Sequence, residues 1–267
     1  MMSSPLLHRR AARGVRRTSA DFGALWRGTD TTGQPLIVIC SSRPAAMSWL
    51  ASSLAAGLPA LVAVVRLTDS GAEADATSAT ESVGAFDRAV TEAARAATAL
   101  GADPARLGIV GEGAAASVAL TLAAARAKPD ADDSDESDDS DGRGDNDPND
   151  EFGRHPVMRL ALISPGSSSW GSAAGSAAVI PPFFPPTLIQ FARGGSAAQT
   201  STALEQRLSA AGVAVRGTDY QAPRDGWATR SRAVKQSTRG ANDLVAFFAR
   251  GFGAASTFHV IPGWDLH

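Results

Sequence analysis

The 267-residue sequence holds a single cysteine, so it closes no internal disulfide, and a small disulfide-stapled scaffold is excluded. Four histidines beside that cysteine are too few for a zinc cluster, and no metal or other cofactor is expected. No apolar run reaches the ~18 residues that a membrane span requires. The first residues lack the apolar middle of a secretory signal, so cytoplasmic residence is the expectation. Acid is missing from the first 20 residues, which carry Arg9, Arg10, Arg13, Arg16 and Arg17. Residues 1–20 are therefore read as a basic flexible arm. A second reading makes them an anion-binding arm, for nucleic acid or a membrane surface, whose binding would weaken steeply with salt. Nucleic acid is not the favoured partner.

What is present is unevenly spread. The formal net charge is −2, yet residues 130–151 hold 12 of the 27 acids and one base, Arg143. Only Ala131 in that stretch could be buried. It cannot offset its own ordering entropy, and residues 129–152 are expected to be a disordered acidic insert. Asp139, Asp141, Gly142 and Asp145 loosely suggest a calcium loop. The EF-hand spacing fails, because Arg143 takes the fifth position and Asp150 the twelfth.

Hydrophobic residues make up 44% of the chain, enough for one large α/β domain over residues 21–250. Residues 251–267 are left as a C-terminal tail. Continuous apolar runs at 35–40 (PLIVIC), 60–67 (ALVAVVRL), 107–110, 158–163 (MRLALI) and 187–192 (TLIQFA) read as buried parallel strands, with a short last strand from 213. Helical spacing appears at 46–56, at 86–100 with Phe86, Val90, Ala93, Ala97 and Leu100 on one face, and at 114–125, 201–211 and 243–250. A turn is expected at Ala102, Asp103 and Pro104. This alternation predicts a mostly parallel sheet with helices on both faces.

The most informative stretch is residues 102–127, ADPARLGIVGEGAAASVALTLAAARA. It runs strand, Gly-x-Gly corner, helix, which is the setting of a nucleophile elbow, G-x-S-x-G. It resembles the nucleophile region of the hormone-sensitive-lipase-like esterases, approximately DPxRIxxxGDSAGGxLA. Asp103-Pro104-Ala105-Arg106-Leu107 and Gly111-Glu112-Gly113-Ala114-Ala115 carry that resemblance. VVRLTDS (64–70) is similar to the family's YRLAPE, and PPTLIQFARGG and LEQRLSAAGVAVRGTDYQAP resemble the segments bearing its acid and histidine. The likeness covers about residues 34–250 without the acidic insert, and it implies an α/β-hydrolase fold.

The departures from the family pattern bear on function. Aligned by the resemblance, the nucleophile falls on Gly113, the acid on Gly195 and the base on Asp225. The family's H-G-G-G oxyanion motif becomes Ser41-Ser42-Arg43-Pro44, and Pro44 has no N–H to donate. Ester hydrolysis by this route needs a hydroxyl, a base within reach and a group that holds the base. Gly113 offers no hydroxyl, and an Asp carboxyl with an ordinary pKa near ~3.9 is a weak base at neutral pH. The Ala114 N–H could still serve an oxyanion. The expectation is a non-catalytic binding or interaction scaffold with a small acyl ligand or a protein partner. An active carboxylic ester hydrolase using displaced residues is the alternative. The loop at 164–186 is too short for the family's helical lid, so the lid is reduced. Ser117, four residues past the corner, falls inside the helix. His155 falls at the wrong end of a strand for a substitute base, and His259 and His267 lie in the tail. Cys40 reads as buried and inert. Arg224, Arg230, Arg232, Lys235 and Arg239 read as a solvated face, and Trp227 as a packing residue.

Overall fold

Alternate residues of each apolar strand feed two separate helix layers. The computed structural model describes residues 14–28, 32–67, 76–127, 155–166, 180–221, 226 and 235–253. Its strands are β1 (Arg16–Ala20), β2 (Gly23–Arg27), β3 (Gln34–Ser41), β4 (Leu61–Arg66), β5 (Ala102–Glu112), β6 (Val157–Ile163), β7 (Thr187–Ala192) and β8 (Val215–Tyr220). Its helices are α1 (Ser48–Gly57), α2 (Ala76–Ala99), α3 (Ala115–Arg126), α4 (Ala198–Ala210) and α5 (Lys235–Gly251), with a 3-10 turn at Pro44–Met47. Leu36, Val38 and Cys40 belong to the core layer under α2, α3 and α4, while Ile37 and Ile39 belong to the opposite layer under α1 and α5. The pleat sends successive side chains to opposite faces, and burial of both faces is why these strands are apolar throughout.

The sheet order is β1-β2-β4-β3-β5-β6-β7-β8. The six strands from β4 to β8 run parallel, and β2 joins β4 antiparallel. The mostly parallel sheet covered on both faces agrees with the alternation in the sequence.

Three expectations need correction. The flexible arm does not extend to residue 20. Arg16 to Ala20 pair with β2, Arg16 opposite Arg27 and Ala20 opposite Gly23. Backbone hydrogen bonds form an edge strand whatever its side chains, and exposed charge suits a sheet edge. Arg17 also lies over the Trp26 ring at 5.7 Å, a cation–π contact. Residues 1–13 lie outside the described residues. The turn expected at Ala102, Asp103 and Pro104 instead opens β5. There the register against β3 jumps from Pro35↔Asp103 to Leu36↔Leu107, and Asp103 accepts hydrogen bonds from the Ala105 N–H and from Arg106 Nε, the latter at 2.9 Å. Arg106 also reaches the carbonyls of Gly33 and Phe252, so the D-P-x-R stretch works as a clip at the N-terminal end of the sheet. The tail does not start at 251, because Phe252 is buried and stacks on Phe248 with ring centroids 5.7 Å apart. Residues 254–267 and the acidic insert lie outside the described residues.

A second clip ties α3 to α2. The Arg126 side chain is 4% exposed and donates to Asp87 Oδ1 at 2.8 and 2.9 Å and to the His155 carbonyl at 3.1 Å. Removing Asp87 would strip a buried cation of its charge partner. Asp87→Ala is expected to lower unfolding free energy by about 2 kcal/mol in urea denaturation, with no change of fold. Burial, reinforced by the Arg126 charge and opposed by Asp103, pushes the His155 imidazole below its usual 6.5. The fold thus favours the neutral ring, so this contribution is complete above pH 6.5 and is lost as pH falls below it. His155→Gln should flatten the decline in denaturation midpoint between pH 7 and pH 5. An unchanged slope would remove His155 from that account.

Candidate active site

The corner between β5 and α3 is built from small residues on both sides. A Cβ on Gly111 would lie 2.6 Å from Ala116 Cα, 2.8 Å from Ala119 Cβ and 2.9 Å from the Ala115 carbonyl oxygen. Only glycine allows the helix to sit that close to the strand end. Gly113 follows at φ +62°, in the left-handed region, and its N–H donates to the Ile163 carbonyl at 2.9 Å. A Cβ there would meet nothing within 4 Å. The tip therefore has room for a side chain and carries only hydrogen. Ala114, next in the chain, is exposed, and α3 begins at Ala115.

Glu112 turns inward between those glycines and is 4% exposed. It accepts from Ser41 Oγ at 3.2 Å through one oxygen and from Arg43 Nη2 at 2.9 Å through the other. Ser41 Oγ in turn accepts from the Arg43 backbone N–H at 3.0 Å. A buried carboxylate is tolerated when it is paired and hydrogen-bonded, and these bonds meet that condition. The structure thus joins the loop 41–43, expected to replace the oxyanion motif, to the corner at Glu112. Arg43 precedes the Pro44–Met47 turn and keeps 61% of its side chain exposed.

Other expected residues stand apart. Gly195 sits in the turn after β7, its N–H donating to the Ala192 carbonyl at 2.9 Å. Asp225, Arg224, Trp227, Arg230, Arg232, His259 and His267 lie outside the described residues, whereas Lys235 and Arg239 belong to α5. Ser117 is in α3, its Oγ buried and without a hydrogen-bond partner. His155 precedes β6, roughly 20 Å or more from the corner end of that strand at ~3.3 Å per residue. Cys40 is buried at the end of β3, and burial drives its thiol pKa far up, which keeps it from forming a thiolate. Among the described residues, no group of three or more His, Cys, Asp or Glu could hold a metal ion. No helix among them is long and apolar enough to cross a membrane.

Two features at this end of the sheet were not singled out in the sequence. An open depression of about 580 Å³ lies beside the corner, and Arg66 lines it together with Arg43. Its signal was a lone charge ending an apolar run. Ser164, just after β6, holds φ +47° with a buried, unpartnered hydroxyl. Nothing in the sequence marks that backbone conformation.

No protein-family profile matches the chain, and no curated protein matches it by sequence. Solved structures do. The chain is similar to a hyperthermophilic esterase from the archaeon Pyrobaculum calidifontis (TM-score 0.64, 15% identity, 92% of this chain and 86% of that one). It is also similar to an esterase from Mycobacterium marinum (TM-score 0.59, 16% identity, 92% and 83%). An esterase from Rhizomucor miehei is comparable (TM-score 0.59, 14% identity, 90% and 83%). Identities this low speak to fold alone. The chain has an α/β fold with an eight-stranded, mostly parallel sheet matching that of α/β-hydrolase esterases.

The Gly111 contacts carry a prediction. Gly111→Ala pushes a methyl into backbone atoms that cannot swing aside, and is expected to cost about 1–3 kcal/mol in denaturation. A neutral result would show that α3 slides away freely.

Proposed function

We propose that this chain is a non-catalytic member of the α/β-hydrolase fold, acting as a binding or interaction scaffold for a small acyl ligand or a protein partner. In this reading Gly113, Gly195 and Asp225 occupy the places of nucleophile, acid and base. The single observation supporting it is the bare tip at Gly113, where φ is +62° and the space for a side chain is empty. Attack on a carbonyl requires a nucleophile at that point. Loss of a whole triad costs on the order of 10⁶ in turnover, and what survives comes from oxyanion donors. The donor motif is altered as well, by Pro44 and by the tie of Arg43 to Glu112.

A second reading, an ester hydrolase using displaced residues, draws on Ser164. Strained backbone concentrates at functional sites, and the Ser164 hydroxyl is buried without a partner. Against it, His155, the sole histidine among the described residues, lies at the other end of β6.

Short p-nitrophenyl esters separate the two. The scaffold reading expects hydrolysis no faster than in buffer, whereas robust turnover that disappears in Ser164→Ala would favour the second. Gly113→Ser should fold, losing about 1–2 kcal/mol to left-handed strain without a steric clash. It should remain inactive on the same esters, since a serine without a base is not a nucleophile. Turnover gained by that single change would show that a base already stands beside the tip.

A further inference from the structure

We propose that the depression beside the corner binds a small carboxylate bearing a short apolar chain, held by Arg43 and Arg66. This rests on the non-catalytic reading in that the ligand is retained, not turned over. Strands β3 and β4 run parallel with Ser41 opposite Arg66, and the Leu67 N–H donates to the Ser41 carbonyl at 3.2 Å. The loop that carries Arg43 therefore leaves β3 next to the strand end that carries Arg66, and both arginines line the same depression.

Arg43 is anchored through Nη2 to Glu112, while most of its side chain stays exposed. The Arg66 side chain is exposed and makes no ion pair or hydrogen bond with another described residue. Among the described residues two cations face one buried carboxylate here, a balance that suits a monoanion. A planar guanidinium fork matches the carboxylate group. Pro44, Ala46 and Leu67 supply an apolar wall that a bare inorganic anion would leave unused. The depression is open to solvent, about 580 Å³, and offers a short acyl chain this one wall to lie against.

The test is calorimetric titration of the full chain with butyrate, butyramide and inorganic phosphate at low and high salt. Butyrate should bind, more weakly at high salt, with the neutral amide not binding and phosphate binding less tightly. Arg43→Ala would leave Glu112 buried with Ser41 alone and is liable to unfold the loop. Arg66→Ala changes an exposed side chain instead, and should weaken butyrate about tenfold or more, the loss of one charge-assisted hydrogen bond. No butyrate binding, equal binding of butyramide, tighter binding of phosphate, or full affinity in Arg66→Ala would each overturn the assignment. The same preparation is assayed on p-nitrophenyl butyrate. An inert chain that ignores butyrate overturns the ligand assignment alone. Turnover inhibited by butyrate in an Arg66-dependent way overturns the non-catalytic reading and leaves the site standing.

Discussion

Strand β5 and helix α3 meet so closely that a methyl group on Gly111 would lie 2.6 Å from the backbone of Ala116. That approach is the constraint on which the corner depends. The helix offers Ala115, Ala116, Ala119 and Ala123 to the strand, all buried, and small residues on both sides let the backbones near one another. The chain must then reverse within two residues, which takes Gly113 into the left-handed region. In an active elbow that conformation costs on the order of 1–3 kcal/mol for a residue with a side chain. Glycine adopts that conformation without the cost.

The same corner places Glu112 inside the protein, and its carboxylate organises the neighbouring loop. Ser41 and Arg43 are 71 and 69 residues away in sequence, yet both end on its two oxygens. Because the Ser41 hydroxyl also accepts the Arg43 N–H, the loop after β3 is held from side chain and backbone at once. This explains how an arginine can stand, oriented, at the rim of an open depression. The polar groups of Ser41 and Arg43 are thereby engaged with Glu112 and with one another, and Pro44 has no N–H to donate.

The central strands were readable because burial on both faces leaves continuous apolar runs, as in residues 35–40 and 187–192. The corner was readable because Gly111 and Gly113 flank it in a strand-to-helix context. The β1–β2 hairpin was not, since arginines in Arg16–Ala20 look like a solvated arm and pair through backbone alone. The extra turns of α2 before Phe86 were missed because ATSATESVGA has no apolar stripe, and Leu100, placed on its buried face, is 37% exposed just past the helix end. Glu112 and Arg43 were singled out separately. Their pairing is a long-range contact that no local pattern encodes. Arg66 reads in sequence as the end of a strand, and only the parallel register of β3 and β4 brings it beside Arg43.

No activated hydroxyl is expected at the tip of the corner. This is tested most directly by incubating the native full-length chain with a fluorophosphonate and weighing the intact protein. The mass should stay unchanged, with an active esterase in the same tube fully modified. A stoichiometric adduct that maps to one serine, and that is prevented by prior unfolding, would contradict it.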